Sequence, residues 1–151
     1  MSGAKALLAR IIMKNLHILI VDDHEVVRRG LHALLATQAD WEVVGEAANG
    51  PEAVKKVNQL KPDVVIMDIT MPVMSGLDAT RLIMETAPQT KVLIFTMHDS
   101  EQMKQSALEA GARGYVLKSN AANDLIAAIR ALSKDEVSFA SRAAKRPTKV
   151  I

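Results

Sequence analysis

Five polar residues close short apolar runs. Asp22 and Asp23 follow Leu16–Val21, Asp68 follows Val64–Met67, Thr96 follows Val92–Phe95, and Lys118 follows Tyr115–Leu117. Any one of them alone reads as the solvated start of a loop. If the runs are neighbouring parallel strands, all five gather at one edge of the sheet. Three carboxylates in one place repel, so one takes a proton or a cation joins them. A few carboxylates with waters and phosphate oxygens make the all-oxygen environment that suits Mg²⁺. Lys118 adds a positive point charge and Thr96 a hydroxyl donor. Such a set fits in-line phosphoryl transfer, because metal, ammonium and hydroxyl meet the charge developing on the transferred oxygens. Asp68 is then the nucleophile and becomes an aspartyl phosphate.

The elements that must position these residues alternate along the chain. The β-branched runs are Leu16–Val21, Glu42–Ala47, Val64–Met67, Val92–Phe95 and Tyr115–Leu117. Several are continuously apolar, as in strands buried on both faces of a parallel sheet. Helical patterns lie between them at Glu25–Ala36, Gly50–Leu60, Leu77–Thr86, Ser100–Ala110 and Ala122–Leu132. Pro51 suits a first helical turn, Ser100 an N-cap and Gly111 a helix end. Gly76 reads as a backbone requirement of the same kind, a turn or helix end. Five strands alternating with five helices predict an α/β fold, a doubly wound five-stranded parallel sheet with helices on both faces. Ligands of such sheets sit at the carboxyl ends of the strands, where these polar residues fall.

The length of 151 residues fits one domain, with 49% hydrophobic residues to fill its core. Aromatics are scarce, so Val, Ile, Leu, Ala and Met must build that core. The eight Met read mostly as gap fillers, with Met71 and Met74 open to a partner, and Trp41 as a packing residue. The absence of cysteine excludes disulfides and thiolate metal sites, and suits a cytoplasmic protein. No segment reaches the roughly 18 apolar residues of a membrane span. Ala4–Met13 is apolar and mildly basic, but Arg10 breaks it and no cleavage site follows. Residues 1–15 therefore read as an N-terminal extension, with Met13 an alternative start, and 134–151 as a basic linker or tail. The net charge of +2 arises in these ends: residues 16–140 hold 12 basic against 17 acidic side chains, a net of −5. That weakens any inference of direct nucleic-acid binding.

Four motifs in order resemble the receiver domains of two-component response regulators. They are Ile18-Leu-Ile-Val-Asp-Asp23, Val64-Val-Ile-Met-Asp-Ile-Thr-Met-Pro72 with Ser75-Gly76, Leu93-Ile-Phe-Thr96, and Gly111-Ala-Arg-Gly-Tyr-Val-Leu-Lys118. The resemblance covers residues 16–133 and implies a flavodoxin-like strand order of 2-1-3-4-5. It implies that Asp68 accepts a phosphoryl group from the phosphohistidine of a sensor histidine kinase. Asp23, Asp68 and the carbonyl of Thr70 would hold Mg²⁺ directly, and Asp22 through water. Lys118, the Thr96 hydroxyl and the N–H groups of Thr70 and Met97 would meet the phosphoryl group. Thr96 and Tyr115 would form the switch, Tyr115 turning inward as Thr96 moves. The face made by the fourth helix, fifth strand and fifth helix would change and pair two copies.

Asp23-His-Glu25, Thr96-Met-His-Asp99 and the Ser119 that follows Lys118 are similar to the NarL/FixJ-type branch, whose members usually carry a DNA-binding helix-turn-helix. The chain ends before such a domain, so it reads as a receiver fragment of a transcription factor or as a stand-alone receiver acting by protein contact. Ser119 replaces the proline common there, so no cis peptide is required. Met97 is bulkier than the usual small residue and stands where it would crowd the site. His24 and His98 lie near the site; Mg²⁺ prefers oxygen, so neither is assigned as a ligand, and His98 is assigned an influence on water access. An Asp-nucleophile phosphohydrolase of the haloacid-dehalogenase type is disfavoured by Thr70, which stands where the second Asp is needed. A flavodoxin-like cofactor binder is disfavoured by Asp22-Asp-His-Glu25, which repels phosphate.

Overall fold

A computed structural model of the chain describes Gly3 and residues 15–139. The N-terminal extension before Asn15 and the tail from residue 140 lie outside the described residues. The strands are β1 (Leu16–Val21), β2 (Trp41–Ala47), β3 (Val64–Met67), β4 (Lys91–Thr96), β5 (Gly114–Leu117) and β6 (Ser138–Phe139). The helices are α1 (Glu25–Leu35), α2 (Gly50–Leu60), α3 (Gly76–Thr86), α4 (Glu101–Ala110) and α5 (Ile126–Ser133). All pairings are parallel and the strand order is 2-1-3-4-5-6. The five expected strands keep their expected order, and the flavodoxin-like fold follows.

Alternation along the strands builds two cores. Leu19, Val21, Val65, Met67, Val92 and Ile94 face one layer, closed by Ala53 and Val57 of α2, Ala79 and Ile83 of α3 and Ala107 of α4. Ile18, Ile20, Val64, Ile66, Leu93 and Phe95 face the other, closed by Leu31 and Leu35 of α1 and Ile129 and Leu132 of α5. Strands buried on both faces need no polar side, which is why their sequences run apolar without a break. Trp41 packs at the start of β2, with the Arg130 guanidinium 4.9 Å over its ring. Three helix starts carry side-chain caps, those of α2, α3 and α4. Asn49, Ser75 and Ser100 accept from the N–H groups of Glu52, Asp78 and Met103.

Two features depart from the sequence reading. The helix expected over Ala122–Leu132 begins as a tight turn at Lys118–Asn120 and a wide π-type turn at Ala121–Leu125. Asn120, Asn123 and Asp124 are poor residues for a helix interior, and no buried residue anchors this stretch before Leu125. Residues 134–139, read as tail, fold back instead. Asp135 takes a left-handed φ of 63°. Its N–H donates to Leu132 and that of Glu136 to Ala131, closing the end of α5. The chain then runs beside β5 as a sixth strand. Glycine usually marks this reversal, and Asp135 stands in its place here, which hides the turn from pattern reading.

Candidate functional site

The sheet delivers the five polar residues to one edge. The N–H of Asp22 donates to Ala47 and that of Asp68 to Val21, which locks both residues to the strand ends. Arg28 of α1 braces the same backbone, donating to the carbonyl of Asp22 at 2.7 Å and to Glu46 at 2.6 Å. Asp22, Asp68 and Thr96 are buried, while Asp23 is partly open. Lys118 reaches across the cluster. Its ammonium donates to Asp22 Oδ2 at 2.8 Å and lies 3.4 Å from Asp68 Oδ2. Asp68 Oδ1 accepts from the N–H of Ile69 at 2.9 Å.

Burial and the neighbouring Asp22 charge push the Asp68 carboxyl above its ordinary 3.8, against the pull of Lys118. A raised carboxyl favours the folded state below its ordinary value and loses that contribution as pH rises through the raised one. Asp68→Asn is therefore expected to raise the melting temperature of metal-free protein by a few degrees at neutral pH. The gain should fade toward the ordinary carboxyl value. Melts in chelator across that range check it, and a lower melting temperature at neutral pH contradicts it.

The loop after Asp68 is shaped by backbone. Val73 has φ 72°, unusual for a β-branched residue, inside a three-residue turn closed from Met74 N–H to Pro72 C=O at 2.8 Å. Gly76 N–H donates to Ile69 at 2.7 Å and pulls the start of α3 under the site. An added Cβ on Gly76 would stand 1.9 Å from the carbonyl oxygen of Asp68. Here glycine is required by close approach rather than by its φ.

Carboxylate oxygens of Asp22, Asp23 and Asp68 and a ring nitrogen of His24 lie within 4.8 Å of one another. Asp23 Oδ1 is buried and makes no hydrogen bond among the described residues. His24 Nδ1 lies 3.1 Å from it, but out of line, and bonds Asp22 Oδ1 at 3.0 Å instead. The two carboxylates push the pKa of the exposed His24 upward. An orphaned buried carboxylate oxygen among three acids is what a hard cation would satisfy, so the donor set fits Mg²⁺.

The Thr96 hydroxyl accepts from the N–H of His98 at 3.2 Å, leaving its own proton to donate. The Tyr115 hydroxyl donates to the carbonyl of His98 at 2.6 Å and the ring is fully buried, so Tyr115 already stands inward, where the resemblance implied that it turns in only as Thr96 moves. Burial, with Asp99 and Glu101 nearby, pushes the phenol up to about 12, so it stays a donor. The His98 imidazole meets the exposed Thr70 hydroxyl at 3.1 Å. His98 thus joins both loops, a role its position in sequence did not reveal. Met97 is 79% exposed, turned to solvent. No cis peptide occurs among the described residues.

Residues 18–130 match the family described as the response regulator receiver domain. The chain belongs to the response regulator receiver family. Response regulator protein VraR of Staphylococcus aureus is 45% identical over 122 residues, 81% of this chain and 58% of that protein. A two-component response regulator of the LuxR family from Aurantimonas sp. SI85-9A1 superposes with a TM-score of 0.84 at 36% identity. It covers 90% of this chain and 97% of that one. The receiver domain of the putative response regulator NarL from Mycobacterium tuberculosis gives 0.76 at 29% identity, over 80% and 97%. The resemblance to the NarL-type branch is thereby supported. This receiver spans about three-fifths of the length of VraR. No helix among its described residues is long and apolar enough to cross a membrane.

Proposed function

We propose that this receiver is a phosphorylation-driven switch with Asp68 as acceptor. The observation that carries it is a buried carboxylate facing the Lys118 ammonium at 3.4 Å, beside the unsatisfied oxygen of Asp23. Asp23, Asp68 and the carbonyl of Thr70 would hold Mg²⁺, with Asp22 acting through water. Bound there, the ion supplies charge neutralisation for phosphoryl oxygens. An Asp68 oxygen attacks the phosphorus of a kinase phosphohistidine. The P–N bond breaks and its electron pair stays on the imidazole. Lys118 pairs with the transferred oxygens while Thr96 donates its hydroxyl, and the N–H groups of Thr70 and Met97 add donors. Self-transfer and slow hydrolysis are the only chemistry assigned; the protein is no metabolic enzyme.

The output face is α4, β5 and α5, where Thr96 and Tyr115 act as the switch and two copies pair. The whole protein would be cytoplasmic, receive its phosphoryl group from a sensor histidine kinase, and regulate transcription through an attached DNA-binding domain. The LuxR-family neighbour and the greater length of VraR support that reading of the output.

Incubation with Mg²⁺ and acetyl phosphate should add one phosphoryl group by intact mass. Asp68→Asn should gain none, and chelator should block the wild type. Equal labelling of wild type and Asp68→Asn would overturn the assignment. Sizing with beryllofluoride tests pairing, and an unchanged mass removes it.

A further inference from the structure

The sixth strand lies against Tyr115. Phe139 stacks on Tyr115 with ring centroids 5.8 Å apart and planes 20° from parallel. The strand is held there by several independent contacts. Ser138 N–H donates to the carbonyl of Arg113 at 2.7 Å, and Gly114 and Tyr115 pair with Ser138 and Phe139. Asp135 forms an ion pair with Lys91 at the foot of β4. A Cβ on Gly114 would meet the carbonyl oxygen of Ser138 at 3.0 Å, so the small residue lets the strand lie close. The turn that brings the strand back is itself built, with Asp135 left-handed and its N–H used.

We propose that Lys134–Phe139 is a strap over the outer edge of β5, and that Phe139 is a positioning residue that holds Tyr115 inward. This rests on Tyr115 being the switch residue. A continuous path then runs from the site to the chain beyond. The Thr96 hydroxyl accepts from His98 N–H, the His98 carbonyl accepts from Tyr115, and Tyr115 stacks on Phe139. Whatever turns Tyr115 must unstack Phe139 or carry it along. Whatever pulls on the chain after Phe139 biases Tyr115 in return, because coupling between two sites is reciprocal. Phe139 thus adds, to the two switch residues Thr96 and Tyr115, a third that leads toward any domain following the receiver.

The chain has a single tyrosine, so 3-fluorotyrosine gives one ¹⁹F signal from position 115. A stacked aromatic pair of this geometry biases a rotamer population by up to about tenfold. In the full chain without beryllofluoride, the wild-type signal should be shielded from a soluble paramagnetic quencher. Phe139→Ala should raise the quenched population about three- to tenfold. Ser138→Pro, which removes the donor to Arg113 and keeps the ring, should do the same. Phe139→Trp, which keeps an aromatic face, should restore shielding. Wild-type shielding in Ser138→Pro, or quenching that Phe139→Trp does not reverse, overturns the proposal. If Phe139→Ala does not fold, Ser138→Pro decides. A receiver that ignores beryllofluoride but passes this test loses the switch reading and keeps the strap.

Discussion

Gly76→Ala should slow acceptance of a phosphoryl group at Asp68 by about 100-fold and unfold the protein at markedly lower denaturant. The added methyl would sit 1.9 Å from the Asp68 carbonyl oxygen and 2.9 Å from its carbon. These are backbone atoms at the end of a central strand, and no rotamer change moves them. Either α3 retreats or the Asp68 backbone does. Retreat of α3 breaks the Gly76–Ile69 hydrogen bond and lifts Ala79 and Ile83 from the core. Movement of Asp68 displaces its carboxylate from Lys118. Overpacking of this kind costs about 3 kcal/mol, and an ångström of misplacement slows positioned chemistry by about 100-fold. The control is Gly30→Ala. Gly30 lies in the body of α1 with nothing within 4 Å of an added Cβ, so alanine there should stabilise by up to about 1 kcal/mol. Urea titrations and acetyl phosphate labelling of both variants provide the measurement. Similar behaviour of the two would show that close approach at Gly76 has been misread.

Lys118→Met should be unstable in chelator and recover much of that loss with a divalent cation. The ammonium joins Asp22 and Asp68, and Asp22 is almost wholly buried. Removing one partner of a buried ion pair costs about 3 kcal/mol, because the remaining charge is left uncompensated. Here two carboxylates are left together, so the loss should be large in chelator. A divalent cation should recover much of it, since two unneutralised acids bind it more tightly. Labelling by acetyl phosphate should still fall by about 100-fold, since the phosphoryl oxygens lose a positioned charge. Melts with and without Mg²⁺ separate the two effects. A variant as stable as wild type in chelator would mean the pair is not holding the site together.

The strand-end cluster was legible because it needs only two facts, that apolar runs end in polar residues and that parallel sheets align those ends. Asp22, Asp68, Thr96 and Lys118 followed from these, and the strand order followed from the family resemblance. What was hidden depends on contacts between distant residues. Gly76 looked like any helix-start glycine, and its closeness to Asp68 exists only after α3 packs. His98 read as a side chain that influences water access, whereas its backbone is what bonds both Thr96 and Tyr115. Phe139 sat among residues that read as tail, because a two-residue strand has no period to detect and Asp135 stands where glycine would mark the turn. The first turns after Lys118 were misread for a related reason. Helical composition was present, but the stripe of buried residues begins only at Leu125.

The single tryptophan and the single tyrosine occupy opposite reaches of the sheet. Trp41 opens β2 under the Arg130 guanidinium, so its emission reports whether α5 is docked. Tyr115 lies in β5, against the strap. The molecule therefore carries two intrinsic chromophores in separate places, and loss of the fold and any turning of Tyr115 can be followed in one cuvette without a label.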